Sequence, residues 1–376
     1  MRNPDDIRQS LAEAVLLIRG GRVASRRDIA ASLGISPTTA GFYADELIRR
    51  GFLKETGLEQ GATGRPKRRL ETFPGAGWFA GIEFHAERLR AVSVDFSGQH
   101  RQGMKVTIPE GTTVNGLLDL AEEAVRSLGK KSEGPLLGVG FGCPGIVDPV
   151  RGHSVTYAFL PGWEDVPVAD LLKPRFGVPV ILENNLRAIA LAERWFGGAQ
   201  DLDDYVVLGP RSGFGIAVVQ DGKLFHGARH AAGEIGYWPW PSEVENTRLH
   251  DRLSSPAIWR RLAGKGPRAR LPDDLHEALA GFAGSNGMER GEVVADWARV
   301  IAMLHWLLDP SIFFLHGPLT ALGQRFCDEI NEAAAFFAPA SWQNVPVLRP
   351  SVLDDQAGAL GAASLAMERW QPETGS

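Results

Sequence analysis

The sequence predicts an α/β protein that begins with a winged helix-turn-helix. Three segments with apolar residues at helical spacing come first, and two strand-like runs around a Gly-rich loop follow them. Beyond residue 77, an alternating run predicts a hairpin over 78–95, and apolar runs predict buried strands at 136–147, running into a turn, and at 178–182. Helical segments lie between and after them, which is typical of an α/β architecture. Since domains average about 150 residues, a chain of 376 residues has room for both parts. The break at Pro74–Gly77 gives a winged helix-turn-helix domain over 1–73 and a larger domain over 77–376.

The first helix is predicted to begin at Pro4 and to end before Gly20. Asn3 is a suitable N-cap, proline is favoured at the first helical position, and glycine is favoured just after the last one. Between these ends, apolar residues recur three or four positions apart, as on the buried face of a helix: Ile7, Leu11, Val15 and Ile18.

The second and third helices have their own start and stop signals. Ser25 with Asp28 forms a capping-box pattern, and Gly34 suits a left-handed C-cap, so the second helix is about two turns long. Ser36 and a following proline begin the third helix, which ends before Gly51. Two helices joined by a short turn with glycine are typical of the helix-turn-helix, whose second helix enters the major groove.

The outward residues at the start of the third helix have side chains that suit DNA. The hydroxyls of Ser36, Thr38 and Thr39 can bond phosphates or base edges, and Phe42 can contact a thymine methyl. Helical hairpins also serve as plain packing units, so the three helices alone leave DNA binding open.

The next stretch is predicted to form a basic wing. Strand-like runs at 52–55 and 68–71 flank a Gly-rich loop, and seven basic residues face two acidic ones between positions 49 and 69. Gly64-Arg65-Pro66 is a thin, rigid tripeptide that can place an arginine in a narrow minor groove. We therefore expect Arg65, Lys67 and Arg68 to contact DNA. A solvated basic loop is the alternative.

The net charge of −5 hides a division within the chain. Residues 1–72 contain 13 basic and 9 acidic side chains and carry +4, whereas the remaining residues carry −9. A cationic part in an acidic chain is expected where that part meets a polyanion, although a solvated surface explains it as well. The division is consistent with double-stranded DNA as a partner of residues 1–73.

Cysteine content and hydropathy indicate the compartment. The only two cysteines, Cys143 and Cys327, are 184 positions apart, which excludes a disulfide framework, a Cys-rich zinc module and an iron–sulfur cluster. The most apolar stretch, at 301–315, contains a histidine, an aspartate and a proline, and the N-terminus opens with charged residues. We expect a cytoplasmic protein that does not enter a membrane.

Five runs in the larger domain, in this order, resemble the ROK family of bacterial repressors and sugar kinases. The helix-turn-helix with its Gly-Arg-Pro wing is also similar to the repressor branch of that family. The resemblance implies a two-lobed actin-like fold of the sugar kinase and ribonuclease H type, with a small ligand in the cleft between the lobes. The matching runs are Gly138–Asp148, Leu160–Glu164, Pro179–Asn185, Gly213–Gly215 and Ala232–Gly236.

The chain departs from this family where a kinase needs its catalytic base. Family kinases carry an Asp directly after the Asn of the Glu-Asn run, and Asn185 stands at that position. A carboxamide does not act as a base near neutral pH, and the loss of a general base costs about 10²–10⁴ in rate. We therefore expect no enzyme activity, although Asn184 and Asn185 can still hydrogen-bond a polyol.

The nucleotide loops of the family are also altered. Glu83–Glu87 stands where the kinases have an Asp-x-Gly-x-Thr loop, and it contains no glycine. Arg211–Ala217 stands where they have Gly-Thr-Gly-x-Gly-x-Gly, and it lacks two of the four glycines that let a backbone approach phosphates. We expect no cofactor, although Arg211 offers a positive charge to an anion.

A third departure removes the zinc site of the family. Most relatives follow the Gly-Glu-Ile-Gly run with a His and three Cys that bind Zn²⁺, but here Tyr237 replaces the His and residues 238–255 contain no Cys. We expect no metal, and we expect the run Trp238–Pro241 to be fixed by aromatic burial and proline stiffness instead.

The resemblance also implies which residues contact an effector. In the family, the zinc loop also supplies two sugar contacts, one from the His that Tyr237 replaces here and one from a Glu four residues before a Ser. Counting back four positions from Ser254 places His250 where the family has that Glu. Glu234 could instead cap a turn beside its neighbouring glycines. The expected effector residues are Asn184, Asn185, Glu234, Tyr237 and His250.

These observations predict a DNA-binding transcriptional regulator, by resemblance a repressor, whose inactive kinase-like domain senses a small molecule such as a carbohydrate or its derivative. Helix-turn-helix dimers read half-sites about 10 bp apart or multiples of that, so we expect a homodimer or homotetramer on a near-palindromic operator. Two alternatives remain open. One is a residual ATP-dependent sugar kinase, and the other is a regulator without a small-molecule effector.

Overall fold

A computed structural model describes residues 4–59, 67–85, 87–157, 160–242, 246–338 and 347–373. The chain divides into two compact units. Unit 1 is Met1–Ala188 together with Gly358–Ser376, and unit 2 is Ile189–Ala357. The boundary that we placed at residues 73–77 coincides with a short 3-10 helix, Pro74–Ala76, inside unit 1. That boundary stays a prediction.

The predicted helix-turn-helix is present at the start of unit 1. Ser25 Oγ accepts the N–H of Asp28, and Gly34 takes the left-handed conformation at φ 62°, so both caps of the second helix are confirmed. Two antiparallel strands follow the helices. The bounds are α1 (Pro4–Arg19), α2 (Arg26–Leu33), α3 (Pro37–Arg49), β1 (Leu53–Glu59) and β2 (Lys67–Thr72).

The α/β part of unit 1 is built on a five-stranded sheet. Its strand order is β10-β6-β3-β4-β5, and the three neighbours β10, β6 and β3 run parallel. A three-stranded sheet β7-β8-β9 lies in the connection after β6. The bounds are β3 (Trp78–His85), β4 (Arg88–Asp95), β5 (His100–Thr107), α4 (Val114–Gly129), β6 (Leu136–Cys143), β7 (Ile146–Asp148), β8 (His153–Thr156), β9 (Glu164–Val166), α5 (Val168–Phe176) and β10 (Val180–Asn184). The next helix, α6 (Asn185–Phe196), begins in unit 1 and belongs to unit 2 from Ile189 onward.

Unit 2 contains a second five-stranded sheet, of order β13-β12-β11-β14-β15. Its core packs around the fully buried Trp297, whose ring lies 5.2 Å from that of Phe214. The last helix returns to unit 1. The bounds are β11 (Tyr205–Pro210), β12 (Phe214–Gln220), β13 (Lys223–Leu224), α7 (Leu249–Leu253), α8 (Ser255–Leu262), α9 (Leu275–Ala280), α10 (Met288–Leu308), β14 (Ile312–Leu315), α11 (Gly323–Ala335), β15 (Leu348–Pro350) and α12 (Ala357–Arg369).

Within unit 1, the winged helix packs against the α/β part. Arg19, the last residue of α1, donates hydrogen bonds to the carbonyl oxygens of Phe96 at 2.8 Å and of Met367 at 3.2 Å. Its guanidinium carbon lies 4.6 Å from the centroid of the Phe96 ring. The rings of Phe52 and Phe96 stack at 5.2 Å, and Trp370 meets both edge-on. An aromatic and cationic cluster therefore fixes α1 and the start of the wing.

The α/β architecture and the winged helix-turn-helix are both confirmed. The hairpin predicted over 78–95 is the β3–β4 pair, and the predicted buried strands correspond to β6 and β10. Among the described residues, no helix combines the length and the apolar composition that crossing a bilayer requires.

Candidate DNA-reading and effector-binding residues

The start of α3 presents the side chains that the sequence predicted for DNA. Ser36 Oγ accepts the N–H of Thr39 at 3.1 Å, and the hydroxyls of these two residues lie 2.8 Å apart. Thr38 is exposed, and Phe42, one turn later, is 60% exposed. The neighbouring Tyr43 is buried in the domain core. The four predicted residues therefore lie together at the N-cap and in the first two turns of α3, and Ser36, Thr38 and Phe42 are exposed there.

The wing is only partly described. Strands β1 and β2 pair from Leu53 opposite Thr72 to Glu59 opposite Lys67. Arg65 lies outside the described residues, and so does the side chain of Lys67. Arg68 is described: its side chain is 68% exposed and forms an ion pair with Glu55 on β1. The predicted contacts of all three basic residues with DNA stay predictions.

Sequence reasoning missed two charged residues beside the predicted DNA face. Asp45 follows Phe42 by three positions on α3, and its side chain is 69% exposed. Arg26, the first residue of α2, reaches Asp45 and also Glu55. The three-residue spacing between Phe42 and Asp45 already indicates that both lie on one face of α3. No local signal indicates that Asp45 pairs with an arginine 19 positions away.

Asn184 ends β10 at the carboxyl edge of the sheet in unit 1 and caps the helix that follows. Its Oδ1 accepts the backbone N–H groups of Leu186 at 2.9 Å and of Arg187 at 3.2 Å. Its Nδ2 donates to the carbonyl oxygen of Gly145 at 2.8 Å. Asn185 is the first residue of α6 and, like Asn184, is buried. The Asn184 side chain therefore has a structural role whether or not it binds a ligand.

In unit 2, Glu234 is held on a loop that lies tightly on β12. Gly233 has a φ of 92°, and a Cβ there would lie 2.0 Å from the carbonyl oxygen of Ile216. A Cβ on Gly236 would lie 2.3 Å from the carbonyl oxygen of Phe214. Only glycine fits at both positions, so the glycines fix the position of Glu234. Its side chain makes no capping hydrogen bond to the short 3-10 helix that follows.

Tyr237 and His250 are brought together in unit 2. Their ring centroids lie 6.0 Å apart in an edge-on arrangement, and the guanidinium carbon of Arg248 lies 5.3 Å from the Tyr237 ring. His250 Nε2 is 3.1 Å from a carboxylate oxygen of Asp251. Tyr237 is 63% exposed. This cluster offers an accessible aromatic face with a cation beside it, which suits a ligand that stacks and accepts hydrogen bonds.

The described part of the loop that carries zinc in the family packs against the core of unit 2. Trp238 and Trp240 pack, partly buried, against the core of unit 2, and their backbones bond to residues 247 and 249. Burial raises the pKa of the Cys143 thiol and raises that of Cys327 to about 12, so neither is an available thiolate. Among the described residues, no group of three His, Cys, Asp or Glu is arranged to hold a metal ion.

The two runs that resemble the nucleotide loops of sugar kinases begin at Glu83 and at Arg211, which both have large charged side chains. Glu83 is buried in the middle of the sheet of unit 1, where a Cβ on Gly358 would lie 2.7 Å from its Cγ. Ala86, in the same run, lies outside the described residues. In unit 2, Arg211 turns the chain between β11 and β12, and His316 is buried beyond β14. Burial and the charge of Arg211 lower the pKa of His316 to about 3, so it is neutral.

Comparisons with known proteins agree with this architecture. A sequence model of the ROK family matches residues 79–369. The chain is 31% identical to a putative xylose repressor of Caldicellulosiruptor sp. (strain Rt8B.4), over 92% of each chain. It is 27% identical to the glucokinase of Thermotoga maritima over 98% of that enzyme and 75% of this chain.

Among solved structures, a ROK family transcriptional regulator, described as a homolog of the Escherichia coli MLC protein, superposes with a TM-score of 0.80 over 96% of both chains. At 19% identity this likeness shows the fold alone. The match over 92% of both chains to a relative named as a putative xylose repressor, together with the winged helix-turn-helix, identifies a DNA-binding transcriptional regulator, as the sequence predicted. Because the family's sequence model covers most of the chain beyond its winged helix, the protein belongs to the ROK family.

Proposed function

We propose that this chain is a transcriptional repressor whose affinity for its operator is set by a sugar or a sugar derivative. The exposed start of α3 in a winged helix-turn-helix carries the proposal, because it is the part of the molecule that suits a DNA groove. The name of the putative xylose repressor makes D-xylose the first effector to test. An operator is selected from a random-sequence duplex pool, and its affinity is then measured by fluorescence anisotropy.

We propose that Ser36, Thr38, Thr39 and Phe42 read the major groove and that Arg65, Lys67 and Arg68 contact the backbone or minor groove. A good base contact is worth about 1–3 kcal/mol, so Phe42→Ala should weaken operator binding about tenfold and relax sequence preference.

Arg65→Ala should weaken binding to every duplex and lower the salt slope by about one. Arg270→Ala, at a 90% exposed side chain in unit 2, is the matched control for charge. An unchanged salt slope would mean that Arg65 is a solvated surface residue.

We propose that the kinase-like domain is catalytically inactive. Asn185 stands where the family's kinases have their base, and the run Arg211–Ala217 has only two of the four glycines of their phosphate loop. Likeness to a glucokinase makes a residual kinase the second candidate. A coupled ATP assay over a panel of pentoses and hexoses decides between them. Turnover that Asn184→Ala abolishes would establish the kinase and end this proposal.

We propose that Glu234, Tyr237 and His250, with Asn184 and Asn185, contact the effector. Glu234 is fixed by backbone packing, and Tyr237 is accessible with a histidine and an arginine beside it. An effector stabilises the folded chain by mass action, so one sugar of the panel should raise the melting temperature, and Glu234→Gln should abolish that rise. Lys223→Gln, at an exposed position of unit 2, is the control. A regulator without an effector would show no rise with any sugar.

We propose that the protein acts as a homodimer or homotetramer on a near-palindromic operator. A single helix-turn-helix reads few base pairs, and two copies related by a two-fold axis read two half-sites with the same residues. Analytical ultracentrifugation of the chain alone and on the selected operator gives the number of copies. A monomer bound to an operator without symmetry would contradict this part of the proposal.

A further inference from the structure

Four charged side chains join helices α2 and α3 of the winged helix-turn-helix to its wing, the strands β1 and β2. Arg26, at the start of α2, donates one hydrogen bond to Asp45 on α3 at 2.5 Å and another to Glu55 on β1 at 2.7 Å. Glu55 also pairs with Arg68 on β2. The hydrogen bonds from Arg68 and Arg26 lower the pKa of Glu55, so its carboxylate is ionised when the pairs form. The network therefore spans α2, α3 and both strands of the wing.

Asp45 lies on the side of α3 that is proposed to face DNA. It follows Thr38 by seven positions and Phe42 by three, which places the three side chains on one face of the helix. All three are exposed, and 69% of the Asp45 side chain is accessible. A carboxylate on such a face repels the phosphates of a duplex unless a cation neutralises it.

We propose that Arg26 is a positioning residue for DNA binding: it neutralises Asp45 on the reading face and fixes the angle between α3 and the wing through Glu55. This inference rests on the proposed reading face of α3. Arg26 itself contacts no phosphate in this proposal, because its two terminal nitrogens already donate hydrogen bonds to Asp45 and Glu55. Only 31% of the side chain is accessible, which agrees with a residue held against the protein.

The geometry of the network requires an arginine. The guanidinium presents several donors in a rigid fork and can bond two carboxylates on different elements at once. A lysine carries the same charge on one nitrogen and cannot hold the same two partners in a fixed plane. Arg26→Lys should therefore keep neutralisation of Asp45 but loosen the wing, and its loss of operator affinity should fall between those of the wild type and Arg26→Ala.

A double-mutant cycle between Arg26 and Asp45 tests the proposal in the full-length chain. The probes are the operator selected from a random pool and an unrelated duplex, and anisotropy is recorded from low to moderate salt. Arg26→Ala should weaken operator binding about tenfold, whereas in an Asp45→Asn background the same change should cost less than about threefold. The salt slope should stay unchanged, because Arg26 neutralises no phosphate. Arg27→Ala, the same change at the exposed next residue, should show no coupling to Asp45.

Additive losses together with a salt slope that falls by about one would show that Arg26 contacts a phosphate directly, and would overturn the proposal. Asp45→Asn alone gives a second criterion that does not depend on the folding of Arg26→Ala. We expect this variant to bind DNA as tightly as the wild type or more tightly. A loss of affinity would show that Asp45 accepts a hydrogen bond from a base, and would also overturn the proposal. If Phe42→Ala and Thr38→Ala leave operator binding unchanged, the proposed reading face itself has failed.

Discussion

At the residue scale, Asn184 shows that one side chain can be needed for the fold and still be a candidate for the ligand. Its Oδ1 and Nδ2 are engaged with the first turn of α6 and with Gly145, so its position is fixed before any ligand arrives. Ligands of open α/β sheets bind at the carboxyl ends of strands, and Asn184 lies at such an end beside Cys143. The cap therefore places a buried polar edge where a ligand is expected.

We predict that Asn184→Ala lowers the free energy of unfolding by about 1–2 kcal/mol, because it removes a helix N-cap and leaves the Gly145 carbonyl oxygen without its donor. Asn184→Asp keeps the cap acceptor but sets a carboxylate oxygen against the carbonyl oxygen of Gly145 in a buried site, so it should also lower the free energy of unfolding. Urea denaturation followed by circular dichroism measures both variants. Equal stability of the alanine variant and the wild type would contradict the capping role.

His316 makes the stability of the protein depend on pH. Its pKa is lowered to about 3 in the folded chain and lies near 6.5 when the chain is unfolded, so the unfolded state binds more protons between these values. The contribution of neutral His316 to the free energy of unfolding is therefore fully present above about pH 6.5. It is lost as the pH falls towards 3, by at most about 1.4 kcal/mol per pH unit. His316→Gln should reduce the slope of melting temperature against pH over that range. An unchanged slope would show that His316 is already protonated in the fold.

Residues with local roles were predictable from the sequence, and residues with distant partners were not. Ser25 and Ser36 cap helices whose N–H groups lie three positions away, so their roles can be read from neighbours alone. Arg19 looks like an ordinary basic residue in the last turn of a helix. Its acceptor on Phe96 lies 77 positions further on, and only the folded chain reveals it.

At the element scale, α1 is the helix that attaches the winged helix-turn-helix to the α/β part of unit 1. We predict that Arg19→Met lowers the free energy of unfolding by about 1–3 kcal/mol, because it removes two hydrogen bonds to carbonyl oxygens and a cation–π contact with Phe96. Hydrogen exchange should show faster opening of α1 than in the wild type. Arg27→Met, on the exposed side of α2, is the control and should leave both quantities unchanged. Unaltered exchange in α1 of the Arg19 variant would contradict the attachment.

The elements themselves were predicted well where their ends carry local signals. Helices α2 and α3 begin and end close to their capping residues, and the β3–β4 hairpin follows the alternation of its sequence. Helix α1 begins at Pro4 and ends before Gly20, and its predicted N-cap, Asn3, lies outside the described residues. The wing strands were predicted too short: β1 reaches Glu59 instead of ending at 55. Pairing with β2 extends it through a bulge at Gly57, because the hydrogen bonds of a ladder come from the partner strand, which periodicity alone does not describe.

At the scale of the whole molecule, the division of charge coincides with the division between the winged helix and the α/β domain. The part with a net charge of +4 contains the winged helix, and the part with −9 contains the α/β domain to which the family's sequence model matches. The resemblance predicted the family and the altered kinase residues, since these are motifs in sequence. It did not reveal the aromatic neighbours of Tyr237 or the network around Arg26, which arise only when separate segments pack together.

The central claim is that a sugar, and not ATP, controls how tightly this protein binds DNA. The most direct measurement is the affinity for the selected operator, recorded by anisotropy with D-xylose, with each sugar of the panel and with ATP. Since allosteric couplings typically amount to about 5–150-fold, we expect one sugar to change the dissociation constant by at least about fivefold, with no effect of ATP. Operator affinity that no sugar alters, in a protein that consumes ATP with a sugar, would contradict the account.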